Sequence, residues 1–184
     1  MADWTIGADS NPQFERSGAS TPLIRYFEQS TAASTAAIKY GDVVSNDTAT
    51  TTKFRIVRAP AGGGNGGNIL ATTNVLGLAS EASTSAGSSV VSKLGVFVAE
   101  PDAEYRGFLL GANNVSGSSL IGALRAMRYD STNHIYGIDS TNSTAALLGV
   151  LITDIPDGTE GDTNGPVIFR FLSTWTSPAV RGAF

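Results

Sequence analysis

The 184-residue chain has no cysteine and a single histidine, His134. Without cysteine there is no disulfide and no thiolate to act as nucleophile or metal ligand, and the redox compartment is left open. One histidine cannot build a His-rich metal site, and a serine triad would hang entirely on it. No G-x-S-x-G elbow occurs. Charge is scarce as well: Asp, Glu, Lys and Arg make up 15% of the residues, against about 25% in an average soluble domain. The net charge of −4 and pI of about 4.9 provide no basic footprint for nucleic acid. The most apolar stretch, Leu147–Ile152, is far short of the roughly 20 residues that span a bilayer. The opening MADWTIGADSNPQFERSG lacks the basic and apolar regions of a secretion signal.

What is present is a core and many turns. Hydrophobic residues are 41% of the chain and mean hydropathy is +0.03, enough for a packed interior. Ser, Thr, Gly, Asn and Ala replace the missing charge. Such a surface suits a chain packed among neighbours, where charged groups are costly to desolvate. Nine arginines against three lysines fit interface pairing, and fit genomic base composition equally well.

Apolar residues come in short runs at strand period, bounded by turn formers. Strands are expected at Leu23–Phe27, Ala37–Val44, Lys53–Arg58, Ile69–Ala79, Val90–Glu100, Glu104–Leu110, Ala145–Thr153 and Val167–Leu172. Gly41-Asp42 suggests a bulge or tight turn, and the threonines of Thr48–Thr52 an edge strand. Pro101-Asp102 suggests a hairpin across 90–110. Leu120–Tyr129 fits helical and strand spacing alike. A strand is favoured because Tyr129 to Tyr136 reads as a hairpin, with Asp130 and Asn133 as turn formers. Leu-Gly-apolar recurs at Leu76–Leu78, Leu94–Val96 and Leu148–Val150, which leaves a duplicated β-unit open. Residues 1–20 follow no period and read either as a frayed tail or as an arm whose aromatics dock on a neighbour.

Three segments invite chemistry. The stretch PAGGGNGGN at 60–68 lacks the Lys of a phosphate loop and precedes a strand. It is a mobile hairpin loop or one that orders on assembly. The acidic run Asp154–Gly165 contains an EF-hand-like start at Glu160, but Phe171 stands where the closing Glu is required. Solvated turn residues are the simpler reading, with a structural Ca²⁺ or a carboxylate pair for glycoside hydrolysis as alternatives. The aromatics Tyr26, Phe27, Tyr40, Tyr105, Phe108, Tyr129 and Tyr136 form either a sugar-binding face or ordinary strand packing.

Two stretches resemble phage head decoration (capsid cement) proteins of marine and cyanophage type. The first runs through Ile38-Lys39-Tyr40-Gly41-Asp42-Val43-Val44, Asn74-Val75-Leu76-Gly77-Leu78-Ala79-Ser80 and Lys93-Leu94-Gly95-Val96-Phe97-Val98. The second runs from Tyr129-Asp130 through Ile135-Tyr136-Gly137-Ile138-Asp139 and closes on Gly161-Asp162-Thr163-Asn164-Gly165-Pro166-Val167-Ile168-Phe169-Arg170-Phe171. The resemblance implies an all-β chain. Residues 1–20 would form an N-terminal arm, 21–111 a small β-barrel or β-tulip-like domain, and 112–184 a second β-section with a C-terminal tail. It implies a non-enzymatic protein of the capsid exterior, without metal or cofactor, that binds the major capsid protein and forms a homotrimer or other homo-oligomer. Contact with the shell would fall to Trp4 and Phe14 in the arm, Gly62, Gly63, Gly64 and Asn65 in the glycine-rich loop, and Trp175 and Phe184 in the tail. A β-sandwich carbohydrate-binding module or a tail or fibre component is the alternative.

Overall fold

The computed structural model describes Ala2 and residues 4–7, 10–16, 23–30, 37–47, 55–59, 61–62, 69–70, 74–83, 93–141 and 149–172. The described residues are all-β apart from one short helical turn, Ser118–Leu120. In chain order the strands are β1 (Gln13–Arg16), β2 (Ile24–Gln29), β3 (Val43–Asn46), β4 (Arg55–Arg58), β5 (Ala61–Gly62), β6 (Ile69–Leu70) and β7 (Val75–Ala79). They continue as β8 (Lys93–Val98), β9 (Glu104–Leu110), β10 (Leu124–Asp130), β11 (Ile135–Asp139), β12 (Val150–Asp154) and β13 (Pro166–Phe171).

Ten of these strands close into two five-stranded rings. In the first, β2 pairs antiparallel with β8, β8 with β7, β7 with β3 and β3 with β4, and β4 returns parallel to β2. In the second, β9 pairs antiparallel with β13, β13 with β12, β12 with β10 and β10 with β11, and β11 returns parallel to β9. The two rings have one topology: the first strand lies parallel to the third and antiparallel to the fifth. Closure removes the free edges that an open sheet would present. The architecture is therefore duplicated. Of the Leu-Gly-apolar tripeptides, Leu76–Leu78 lies in β7, and Gly149-Val150 of another leads into β12, each the fourth strand of its ring; Leu148 lies outside the described residues.

Gly77 shows why one of those glycines is needed. Between β3 and β7 the register steps from Val44↔Gly77 to Ser45↔Val75, so β7 carries one extra residue. Gly77 has φ +151°, and a Cβ there would stand 1.9 Å from the Phe97 carbonyl oxygen. The bulge reverses the in–out alternation. All five residues of β7 are consequently buried, Leu76 and Ala79 inside the first barrel, Val75 and Leu78 in the cluster shared with the second.

The partner of β9 corrects two expectations. β8 and β9 are not a hairpin: β8 belongs to the first ring and β9 to the second, and Ala99–Ala103 joins them. The division expected at 111/112 thus falls at 99–103. A Pro-Asp turn fits a hairpin and an inter-barrel link equally well, and only the pairing separates them. The turn at Tyr40-Gly41 leaves Val43, not Ala37, to begin β3. The hairpin expected at 129–136 forms as β10 and β11, while the strand expected from Leu120 begins only at Leu124, after a helical turn at Ser118–Leu120. The expected strand at Thr48–Thr52 lies outside the described residues.

Two short elements from the first half stitch onto the second barrel. β1 pairs with the opening half of β9, whose closing half pairs with β11. The β5–β6 hairpin lies beside β10, through Ile69↔Arg128. The glycine-rich segment is therefore flanked by paired strands, as a hairpin loop requires. The cores reflect the same joining. Ile38, Val44, Ile56, Leu76, Ala79, Leu94 and Val96 fill the first barrel. A larger cluster runs from Val43, Ala59, Val75 and Leu78 of the first half into Tyr105, Met127, Tyr136, Phe169 and Phe171 of the second. Burial of this continuous apolar surface binds the two barrels into one body.

Candidate interaction sites

The N-terminal segment is built into its own chain. The Trp4 amide donates to the Thr163 carbonyl (3.0 Å), and the Thr163 amide donates to the Ala2 carbonyl (3.0 Å). The Trp4 indole donates to Asp162 Oδ2 at 2.9 Å, the Ala2 amide donates to Asp162 Oδ1, and Asn164 Nδ2 donates to the Trp4 carbonyl. Trp4 leans on Phe108, ring centres 5.7 Å apart. Phe14 stacks on Phe97 at 5.4 Å and meets Tyr105 edge-on at 5.9 Å. Both aromatics are half-buried against their own barrels. An arm free to dock on a neighbour is replaced by an arm that closes on itself. Gly62 lies in β5, while Gly63, Gly64, Asn65, Trp175 and Phe184 lie outside the described residues.

The acidic run acts as a clamp. Asp162 is buried and takes the arm's donors, and the hydrogen bonds from the Ala2 amide and the Trp4 indole hold its carboxyl below the usual range. Glu160 accepts from the Ser118 amide (3.0 Å) and hydroxyl (2.7 Å), which lowers its pKa too. Ser116 Oγ donates to the Thr159 carbonyl. Asp154 caps the Ile155 amide, and Asp157 is exposed. The run is thus only partly the solvated turn expected. No group of three or more His, Asp or Glu side chains that could hold a metal is found among the described residues.

A buried polar junction ties the arm to both barrels. Asn11 Nδ2 donates to the Tyr40 carbonyl (3.1 Å) and to Asp42 Oδ1 (3.0 Å), while Asn11 Oδ1 accepts from the Tyr136 amide (2.9 Å). Every polar position of that amide side chain is used. Asp42 Oδ2 accepts from the Lys39 amide at 2.8 Å. Burial raises the Asp42 carboxyl to about 6, against hydrogen bonds and the charges of Arg58 and Lys39 that pull it down. The Tyr136 hydroxyl donates to the Ala59 carbonyl at 2.6 Å, and its pKa is raised by burial and by Asp42. Arg58 lies 4.9 Å over the Tyr129 ring. Nothing in the local sequence marks Asn11, because its three partners come from Tyr40, Asp42 and Tyr136, far along the chain.

His134 closes the β10–β11 turn with φ +56° and hydrogen-bonds through Nδ1 to the Tyr129 hydroxyl at 2.9 Å. Asp130 and Asn133 make the expected turn bonds. The seven aromatics do not form one face: Tyr105 and Tyr136 are fully buried, and Tyr129 nearly so. Tyr26 is 67% exposed, with Ile24 beside it on the outer face of β2. On the second half, Val115, Ile121 and Leu124 are exposed. The chain matches no protein-family model, no curated protein and no solved structure.

Proposed function

We propose that this chain is a structural protein of a virus particle, a decoration protein that sits on the outside of a phage head and bridges adjacent capsid subunits. The observation that carries the reading is a rigid two-barrel body with large apolar side chains exposed on both barrels: Ile24 and Tyr26 on one, Ile121 and Leu124 on the other. A bridge needs two contact patches on a body that does not bend between them. The shared core and the Asn11 junction supply the stiffness. Low charge favours close packing on a neighbour, since fewer ionic groups are desolvated. The described residues show hydrogen-bonded turns and clamps, and the sequence resemblance points the same way. The partner is the major capsid protein, with homo-oligomers of this chain on the shell.

The test is addition of the purified chain to heads that lack it, read by co-sedimentation and by the temperature at which heads release DNA. Saturable binding with a raised release temperature is expected. Tyr26→Asp and Leu124→Asp should each abolish the rise, because each removes one side of the bridge. Absence of binding by the unaltered chain contradicts the proposal.

A further inference from the structure

A groove of about 580 Å³ opens on the outer face of the second barrel. The arm supplies one wall through Ile6, the segment after β9 supplies Gly111 and Asn114, and the end of β10 and its turn supply Arg128, Asp130 and Thr132. The volume suits a small ligand. Arg128 lines the groove and is held from behind by a buried carboxylate that does not: Arg128 Nη1 lies 3.3 Å from Asp139 Oδ2. Asp139 Oδ1 accepts from the Thr141 amide and hydroxyl, so the carboxylate is held in place. Gly111 passes over this pair at φ +106°, where a Cβ would come within 3.4 Å of Asp139 Oδ1 and 3.6 Å of Arg128 Nη1.

We infer that this groove is a binding site for a neutral polyhydroxylated ligand, one or two sugar rings of a surface glycan. The chemistry of the lining selects that class. Arg128 gives the site a fixed donor fork, of which one nitrogen is occupied by Asp139. Ser131 and Thr132 add hydroxyls that both donate and accept. The Thr141 hydroxyl, its proton given to Asp139, adds an acceptor oxygen, and Asn114, with one amide hydrogen given to Asn164 Oδ1, adds its carbonyl oxygen and second amide hydrogen. Vicinal sugar hydroxyls need that mixture. Asp130 and Asp139 offset the arginine charge, which disfavours phosphate and other anions. Ile6 and Leu110 provide only a small apolar contact, which disfavours hydrophobic ligands. Among the described residues no aromatic ring lines the groove for stacking, so the affinity expected per site is weak, on the order of millimolar. The inference stands on the groove alone. If the chain also decorates a shell in many copies, avidity would multiply the weak contact.

The test is a nuclear magnetic resonance titration of the full chain with glucose, galactose and N-acetylglucosamine, and with inorganic phosphate as the charged control. The expected result is saturable shifts of the Gly111, Ala112, Thr132 and Thr141 amides with at least one sugar, and none with phosphate. Ala112→Leu, an exposed lining position with no hydrogen bond to lose, should weaken binding about tenfold by occupying the groove. Arg128→Gln should weaken it at least as much. Because that variant strips a buried carboxylate of its partner, Ala112→Leu carries the test if Arg128→Gln does not fold. Silence with every sugar, a response to phosphate alone, or sugar shifts unchanged in Ala112→Leu overturns the assignment.

Discussion

The two barrels share a topology and fill it differently. The first is packed by aliphatic side chains: Ile38, Val44, Ile56, Leu76, Leu94 and Val96. The second adds a cluster of rings to its aliphatic side chains Leu109, Met127, Ile138, Val150 and Ile152, with Tyr105 5.7 Å from Phe169 and 5.3 Å from Phe171, and Phe169 5.5 Å from Phe171. The strand lengths agree with this. The second barrel has two seven-residue strands, β9 and β10, where the first has none longer than six. Longer strands enclose more volume, and large rings fill it with less entropy cost than many flexible chains. One strand order therefore accepts two unrelated cores if each is close-packed. The polar clamps differ as well. The acidic run, the Ser116 bonds and the start of the arm converge on the second barrel, while the first carries bonds of its own between Ser30 and Asp47, Ser83 and Ile38, and Glu81 and Gly95, and shares the arm through Asn11.

The largest test of this contrast is Phe169→Ala. It removes a fully buried ring at the centre of the aromatic cluster and should cost about 4 kcal/mol. Leu76→Ala in the first barrel should cost about 3 kcal/mol. Because the large cluster crosses the junction, both variants should lower the midpoint of one shared urea transition, followed by tryptophan fluorescence and far-ultraviolet circular dichroism. Two separate transitions would show that the barrels fold independently.

Acidity probes the junction next. The folded-state pKa of Asp42 is raised from 3.8 to about 6, so the fold favours its protonated form. The stabilisation from this group is fully present below about 4 and is lost as pH rises through about 6, roughly 3 kcal/mol across that window. Asp42→Asn should flatten the pH dependence of stability there, whatever it does to the absolute value. A profile equally steep in the variant would place the titration elsewhere. Smaller again is Tyr136→Phe, which leaves the Ala59 carbonyl without the hydroxyl that reaches it across the junction. About 1 kcal/mol should be lost in urea unfolding. The smallest effect belongs to Asp162→Asn, which weakens the clamp on Ala2 and Trp4. It should speed protease cleavage within the first residues and leave the main transition close to its original midpoint.

Local features were legible in the chain, and pairings at a distance were not. Asp130 and Asn133 announce the β10–β11 hairpin because a turn is decided within four residues. The bulge at Gly77 follows from a glycine inside an apolar run. β1 could not be read, since Gln13, Phe14, Glu15 and Arg16 have no strand pattern and acquire structure only from Arg106, Tyr105 and Glu104. The barrel boundary was hidden for the same reason: alternation shows that Lys93–Val98 and Glu104–Leu110 are strands but is silent on their neighbours. The duplication left one short trace, the tripeptides at Leu76 and Leu148, because two cores of different side chains keep no common pattern. At the candidate sites, the sequence singles out Trp4 and Phe14 as contacts for a neighbour, and the structure packs them on Asp162, Phe108 and Phe97 of the same chain. Their partners, Asp162 and Phe97, follow from the closed arm.

A structural role on a virus shell is tested most directly by the copy number of this chain in purified particles, by quantitative mass spectrometry against the major capsid protein. Copies of the same order as the capsid protein are expected. A handful of copies per particle, or none, would contradict that role.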